Sequence, residues 1–185
     1  MREWINLVEW ADGNPDAFGT TEKLYHGTNI DNLWLIMKAG KLSSNFHGRD
    51  YAGPTGVCLS RSFEVAKSHA ESWAEQLGYS FFEYFGIEGP SEDFGSVVFE
   101  FQRNLISNEL IHFDDGAGDE QEERTLGDLS LDALTTIYVR PEQIAAFLKY
   151  ATTAHKNNAE ATEYDDQFRS IIQNVLSDSR LKTMP

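Results

Sequence analysis

Apolar residues recur at Ile30, Leu33, Trp34 and Met37, the i, i+3, i+4, i+7 spacing of a helix with one buried face, and Gly40 supplies its stop. A second helix is predicted after "GVCLS" (56–60), with Ser62 as N-cap, Glu64 in the first turn, and Ala66, Ala70, Trp73 and Leu77 as the inward stripe. Short apolar runs predict strands at 56–60, 96–101 ("SVVFEF"), 110–114 ("LIHFD") and 134–140 ("LTTIYVR"), the last ended by Pro141. Lys23 to Tyr25 forms another, running into His26-Gly27-Thr28. Residues 2–10 read as a short amphipathic helix with Trp4, Leu7 and Val8 on one side, followed by a loop over 11–21. Segments 43–55 and 78–95 read as loops, the latter an aromatic, glycine-containing lid, and "DDGAGDEQEER" (114–124) as a flexible acidic loop. Helices are predicted over 141–154 and 161–181, with Tyr164, Phe168, Ile171, Ile172 and Val175 sharing a face in the second. This order lacks a regular βαβ alternation, so the fold class is α+β. No repeat or linker interrupts residues 1–185, which read as one domain with C-terminal helices from about 141.

Composition narrows the class. Hydrophobic residues make up 41% of 185, with twelve Phe, seven Tyr and four Trp along the chain, a globular composition. The single cysteine, Cys58, excludes an internal disulfide framework and a Cys-based zinc site, and fits a cytosolic compartment. His47, His69, His112 and His155 lack zinc-like spacing, so no metal is assigned. No apolar run reaches the roughly 20 residues of a transmembrane span, and "MREWINLVEW" does not read as a signal peptide. Thirty acidic residues against fifteen basic ones give a net charge of −15. Such a surface repels phosphate backbones at long range, which disfavours non-specific nucleic-acid binding but leaves room for a local basic cleft. Acidity serves solubility, or an acidic surface that imitates a partner's ligand.

The His-Gly-Thr tripeptide carries the chemistry. A turn needs only the glycine, and by itself the tripeptide also reads as a turn with Thr28 as a cap. Its context is an ordered set: "YHGT" before a helix, "GVCLSRS" running into another helix, and much later "DEQEERTL" leading into further strands. Over residues 23 to about 140 that order resembles the ADP-ribosyltransferase superfamily. "LYHGT" is similar to the first motif of its diphtheria-toxin and poly(ADP-ribose) polymerase branch. "LSRS" resembles the Ser-Thr-Ser of the other toxin branch, and Cys58 stands where the polymerases carry a nicotinamide-stacking tyrosine. The chain also resembles small phage-encoded proteins with "YHGT" early and "EER" late.

The resemblance implies split mixed β-sheets around an NAD cleft with flanking helices. It implies transfer of ADP-ribose from NAD, as substrate, to a macromolecular acceptor, protein or nucleic acid, in the host cytoplasm if phage-encoded. His26 would hydrogen-bond the adenine-side ribose, Gly27 would offer its backbone to the nicotinamide amide, and Thr28 would order the turn. Ser60 would support the cleft and Arg61 would meet the pyrophosphate. Phe63, Tyr79 or Tyr84 would stack on the nicotinamide. A late carboxylate, Glu123, would hold the ribose 2′-OH and balance developing positive charge, with Glu122 the alternative because pleat alternation admits only one of the two. Competing functions are an NAD glycohydrolase, an RNA 2′-phosphotransferase-like enzyme, and a non-enzymatic acidic binding protein.

Overall fold

The computed structural model describes residues 4–6, 22–44, 56–85, 95–108, 110–114, 121–140, 170–171 and 173–185. Ten strands are described: β1 (Trp4–Asn6), β2 (Lys23–Asn29), β3 (Lys41–Leu42), β4 (Cys58–Ser60), β5 (Ser96–Gln102), β6 (Leu110–Asp114), β7 (Gln121–Thr125), β8 (Leu129–Ser130), β9 (Leu134–Val139) and β10 (Leu181–Thr183). Helices α1 (Ile30–Ala39) and α2 (Phe63–Phe85) accompany them, with 3-10 turns at Arg103–Leu105 and Leu131–Ala133. Eight strands form one sheet in the order β1-β6-β7-β4-β2-β5-β9-β10, and β3 pairs with β8 apart from it. Every pair in the large sheet is antiparallel except β9 with β10, so the sheet is mixed.

The eight strands form one continuous sheet rather than the split sheets expected, with a thin junction inside it. β2 runs in register with β5 over seven pairs, Lys23↔Gln102 to Asn29↔Ser96, whereas β2 and β4 share only Tyr25↔Ser60. One half, β1-β6-β7-β4, is therefore joined to the other, β2-β5-β9-β10, through a single residue pair.

The apolar spacing of α1 behaves as read. Ile30, Leu33 and Trp34 are buried and Met37 packs beside them. Gly40 closes the helix in the left-handed region at φ 68°, its N–H donating to Ile36 O at 2.9 Å. The cap at the other end is Asn29, not Thr28: its side chain accepts from Asn32 N at 2.9 Å. β2 thus extends through His26-Gly27-Thr28 to Asn29 before the chain turns helical.

On one face of the sheet Leu24, Leu59, Val97, Phe99, Phe101, Ile137 and Val139 pack with α1 into the main core. The other face receives α2 through Ala66, Ala70 and Val98, with Tyr25, Phe63 and Tyr138 alongside. Trp73 departs from the predicted stripe. It is 42% exposed, and the buried positions in this part of α2 are Ala66, Ala70 and Ala74. Small residues there let the helix lie close on β2: a Cβ on Gly27 would stand 1.9 Å from Ala66 O and 2.8 Å from Ala70 N.

Four further expectations are corrected. Trp4–Asn6 is a strand on β6, not a helix, because a short isolated helix is marginal and a strand edge offers backbone partners. Residues 78–85 continue α2, since aromatic residues are only mildly unfavourable in helices and Gly78 costs about 1 kcal/mol. Gln121–Thr125 is strand β7 within the acidic run, held by β4 on one side and β6 on the other. At the C-terminus, helix over 170–171 and 173–176 gives way to a turn and then to β10. The turn is fixed by Asp178, whose carboxylate accepts from Arg180 N and from its guanidinium. The predicted loop over 11–21, residues 45–55, 86–94 and 115–120 of the other loops, the helix over 141–154 and most of that over 161–181 lie outside the described residues. No helix among the described residues is long and apolar enough to cross a membrane.

Candidate active site

The site is built where the two halves of the sheet part. Past the Tyr25↔Ser60 pair the β2–β4 ladder stops, and the His26 imidazole spans the gap: Nδ1 lies 2.9 Å from the Cys58 carbonyl oxygen. A carbonyl only accepts, so Nδ1 carries the hydrogen and, in the neutral ring, Nε2 is the lone-pair nitrogen. The contact with Cys58 therefore fixes the tautomer of the neutral His26 ring.

Pleat alternation decides which residues share this face. His26 follows Tyr25 on β2, and Leu59 precedes Ser60 on β4, so both lie on the face opposite to that of the Tyr25↔Ser60 pair. Leu59 registers with Glu123 on β7, whereas Glu122 registers with Ser60. Cross-strand partners share a face, so Glu123 falls on the His26 face. Arg61 and Arg103 lie just past the ends of β4 and β5, and both reach Glu123.

Glu123 is 0% exposed, and Oε1 accepts from both Arg61 Nε and Arg103 Nη2. Its other oxygen, Oε2, is buried with no hydrogen-bond donor among the described residues. Leaving such an acceptor dry costs about 1–3 kcal/mol, so this oxygen is a place where a ligand hydroxyl would be welcome. The side chains of Arg61 and Arg103 stand 12% and 19% exposed, which keeps the cluster in a low-dielectric setting where charge-assisted bonds are strong.

The remaining site residues named from sequence divide. Thr28 is buried, its Oγ1 accepting from Asn32 Nδ2 at 3.1 Å, so it braces the start of α1 from the His26 face. Ser60 orders the β4–α2 turn: its Oγ donates to Ser62 O and accepts from Ser62 N, both at 3.0 Å. That turn projects Arg61. Arg61 engages Glu123, where the resemblance gave it a pyrophosphate. Gly27 lies under α2, so its missing side chain is already required by helix packing.

Phe63 is not brought to this face. It packs edge-on against Tyr25 and Tyr138, with ring centroids 5.7 and 4.9 Å apart, on the α2 side of the sheet. The side chains of Tyr79, Tyr84 and Glu122 lie outside the described part.

That opposite side holds its own polar cluster, centred on the buried Glu100. Tyr138 OH donates to Glu100 Oε2 at 2.9 Å, Lys23 Nζ lies 3.1 Å from Oε1, and the Thr135 and Thr136 hydroxyls complete the set. Burial alone would raise the Glu100 carboxyl, but the hydrogen bonds from Tyr138 and Lys23 outweigh it and hold the group below its ordinary value. Burial first, and then Glu100, push the Tyr138 hydroxyl up to about 12.

Arg103 is the site residue that the sequence reading missed. The available signal was a charged residue beside an apolar run: Arg103 lies just past β5, at the start of a 3-10 turn. Glu100 was legible in the same way, as an acid inside "SVVFEF".

No family model matches the chain, and no curated protein does. Among solved structures it is similar to Thermus sp. 2.9 DarT in complex with carba-NAD+, at 12% identity and a TM-score of 0.42 over 74% of this chain and 92% of that one. For Thermus sp. 2.9 DarT in complex with NAD+ the values are 12% and 0.41, over 73% and 90%. With ADP-ribosylated ssDNA they are 11% and 0.41, over 74% and 90%.

Proposed function

We propose that this chain is an NAD-consuming mono-ADP-ribosyltransferase whose catalytic residue is Glu123. The observation that carries the reading is the buried Glu123 carboxylate on the His26 face, bound by two arginines through Oε1 and with Oε2 lacking a donor among the described residues. A ribose 2′-hydroxyl donating to Oε2 would satisfy that oxygen and set the negative charge beside the ribose.

In the reaction the bond between C1′ of that ribose and the nicotinamide nitrogen breaks. Its electron pair leaves with nicotinamide, which departs neutral. An acceptor lone pair then forms the new bond to C1′, and the acceptor's proton passes to solvent or to a base. Charge on the ribose peaks between the two events, and the Glu123 carboxylate stabilises it there. His26 holds the substrate: its Nδ1–H is given to Cys58 O, and Nε2 accepts from a hydroxyl of the adenine-side ribose. Gly27 gives main-chain contact to the nicotinamide amide, Thr28 and Ser60 stiffen the walls, and Arg61 exchanges Glu123 for the pyrophosphate as substrate enters.

The test is incubation with NAD labelled in the adenylate part, with and without cell lysate, followed by nuclease or protease digestion of the product. The reading expects nicotinamide release together with label on a macromolecule, and the digestion names the acceptor class. Nicotinamide release with no labelled acceptor makes the chain an NAD glycohydrolase. No release at all returns it to an acidic binding protein.

A further inference from the structure

We infer that Arg103 is the positioning residue of Glu123, the fixed half of a two-arginine clamp of which Arg61 is the exchangeable half. The inference rests on the transferase reading above and adds to it a residue that no motif marks. Arg103 leaves β5 directly after Gln102, and its N–H donates to Glu22 O at 2.8 Å. β5 is paired along both edges, with β2 over seven residue pairs and with β9 over four. Arg61, by contrast, sits on the bend between β4 and α2.

The Arg103–Glu123 ion pair also crosses the thin junction of the sheet. Arg103 belongs to the β2-β5-β9 half and Glu123 to the β4-β7-β6 half, and between these halves the backbone ladder is one pair long. A carboxylate held through one oxygen has its second oxygen's position set as well. Arg103 thus aims Oε2, and it keeps doing so when Arg61 turns to the substrate's pyrophosphate. Its effect on the reaction runs through Glu123, whose Oε1 it holds.

The experiment is a double-substitution cycle on the full chain: wild type, Arg103→Gln, Arg103→Lys, Glu123→Gln and Arg103→Gln/Glu123→Gln. Nicotinamide release at saturating NAD, NAD affinity by calorimetry and thermal unfolding are read for each. Arg103→Gln is expected to slow release about 10²-fold, the scale of a misplaced catalytic group, with affinity changed less than about threefold. Arg103→Lys should recover part of the loss, because an ammonium can replace the Nη2 bond to Glu123 Oε1. In the Glu123→Gln background Arg103→Gln should cause no further loss, a non-additivity that general damage to the fold would not produce. If Arg103→Gln fails to fold, Arg103→Lys carries the test, and it must then lie between wild type and Glu123→Gln in rate. Losses that multiply in the double variant, or an Arg103→Gln or Arg103→Lys protein that folds and turns over like wild type while Glu123→Gln is inactive, overturn the inference and leave the transferase reading standing. A wild-type protein that releases no nicotinamide removes both.

Discussion

At the scale of single residues, the chain places a histidine of fixed tautomer and a buried carboxylate on one face of a sheet. His26 spends one ring nitrogen on Cys58 O, a bond worth about 1 kcal/mol net. His26→Ala should therefore weaken NAD binding at least about tenfold, by calorimetry, while the thermal midpoint moves by only a few degrees. Unchanged affinity would remove His26 from the site. That His26 and a carboxylate at 122 or 123 share a face was legible, because an ordered set of short motifs points at both. The choice between Glu122 and Glu123 was not, since it depends on register with β4, and register comes from long-range pairing. Arg103 was hidden for a similar reason: nothing near it in sequence announces a carboxylate 20 residues away.

At the scale of elements, periodicity located what depends on local spacing. α1 and its Gly40 stop, and the strands β4, β5, β6 and β9, follow from apolar runs and caps. β1, β7 and β10 were missed because none has a strand pattern of its own; each is held by a neighbour already in the sheet. β7 is the extreme case, an acidic strand made tolerable by arginines on its inward carboxylate. Gly27 joins element packing to the site. Gly27→Ala should push α2 off β2, since the new methyl would meet Ala66 O at 1.9 Å, and destabilise the protein by about 1–3 kcal/mol or more in urea unfolding. A tolerated alanine would mean that α2 does not lie where described. Asn29→Ala removes the α1 cap and its bond to Trp73 O, for about 1 kcal/mol.

At the scale of the molecule, two polar networks lie on opposite faces of one sheet and serve different ends. The Arg61–Glu123–Arg103 cluster bridges the junction of its halves, while Glu100 ties β5 to β2 and β9. The Glu100 carboxyl is held below its ordinary value of 4.5 in the folded chain, so as pH falls the unfolded chain takes up this proton first. Its contribution to stability is full above about 4.5 and is lost as pH drops toward the folded value. Glu100→Gln should accordingly give a protein that is less stable at neutral pH and whose unfolding midpoint falls less steeply below pH 4.5. An acid limb as steep as wild type would assign acid unfolding to other carboxylates.

The central claim is that Glu123 stabilises charge that exists only on the way to the transition state. Its most direct test is nicotinamide release by Glu123→Gln at saturating NAD, with NAD affinity measured on the same protein and Glu122→Gln as the control of equal charge change. The account predicts release reduced by about 10²-fold or more in Glu123→Gln, affinity nearly unchanged, and Glu122→Gln close to wild type. Equal and weak effects of the two changes, or loss of activity in Glu122→Gln alone, would contradict it.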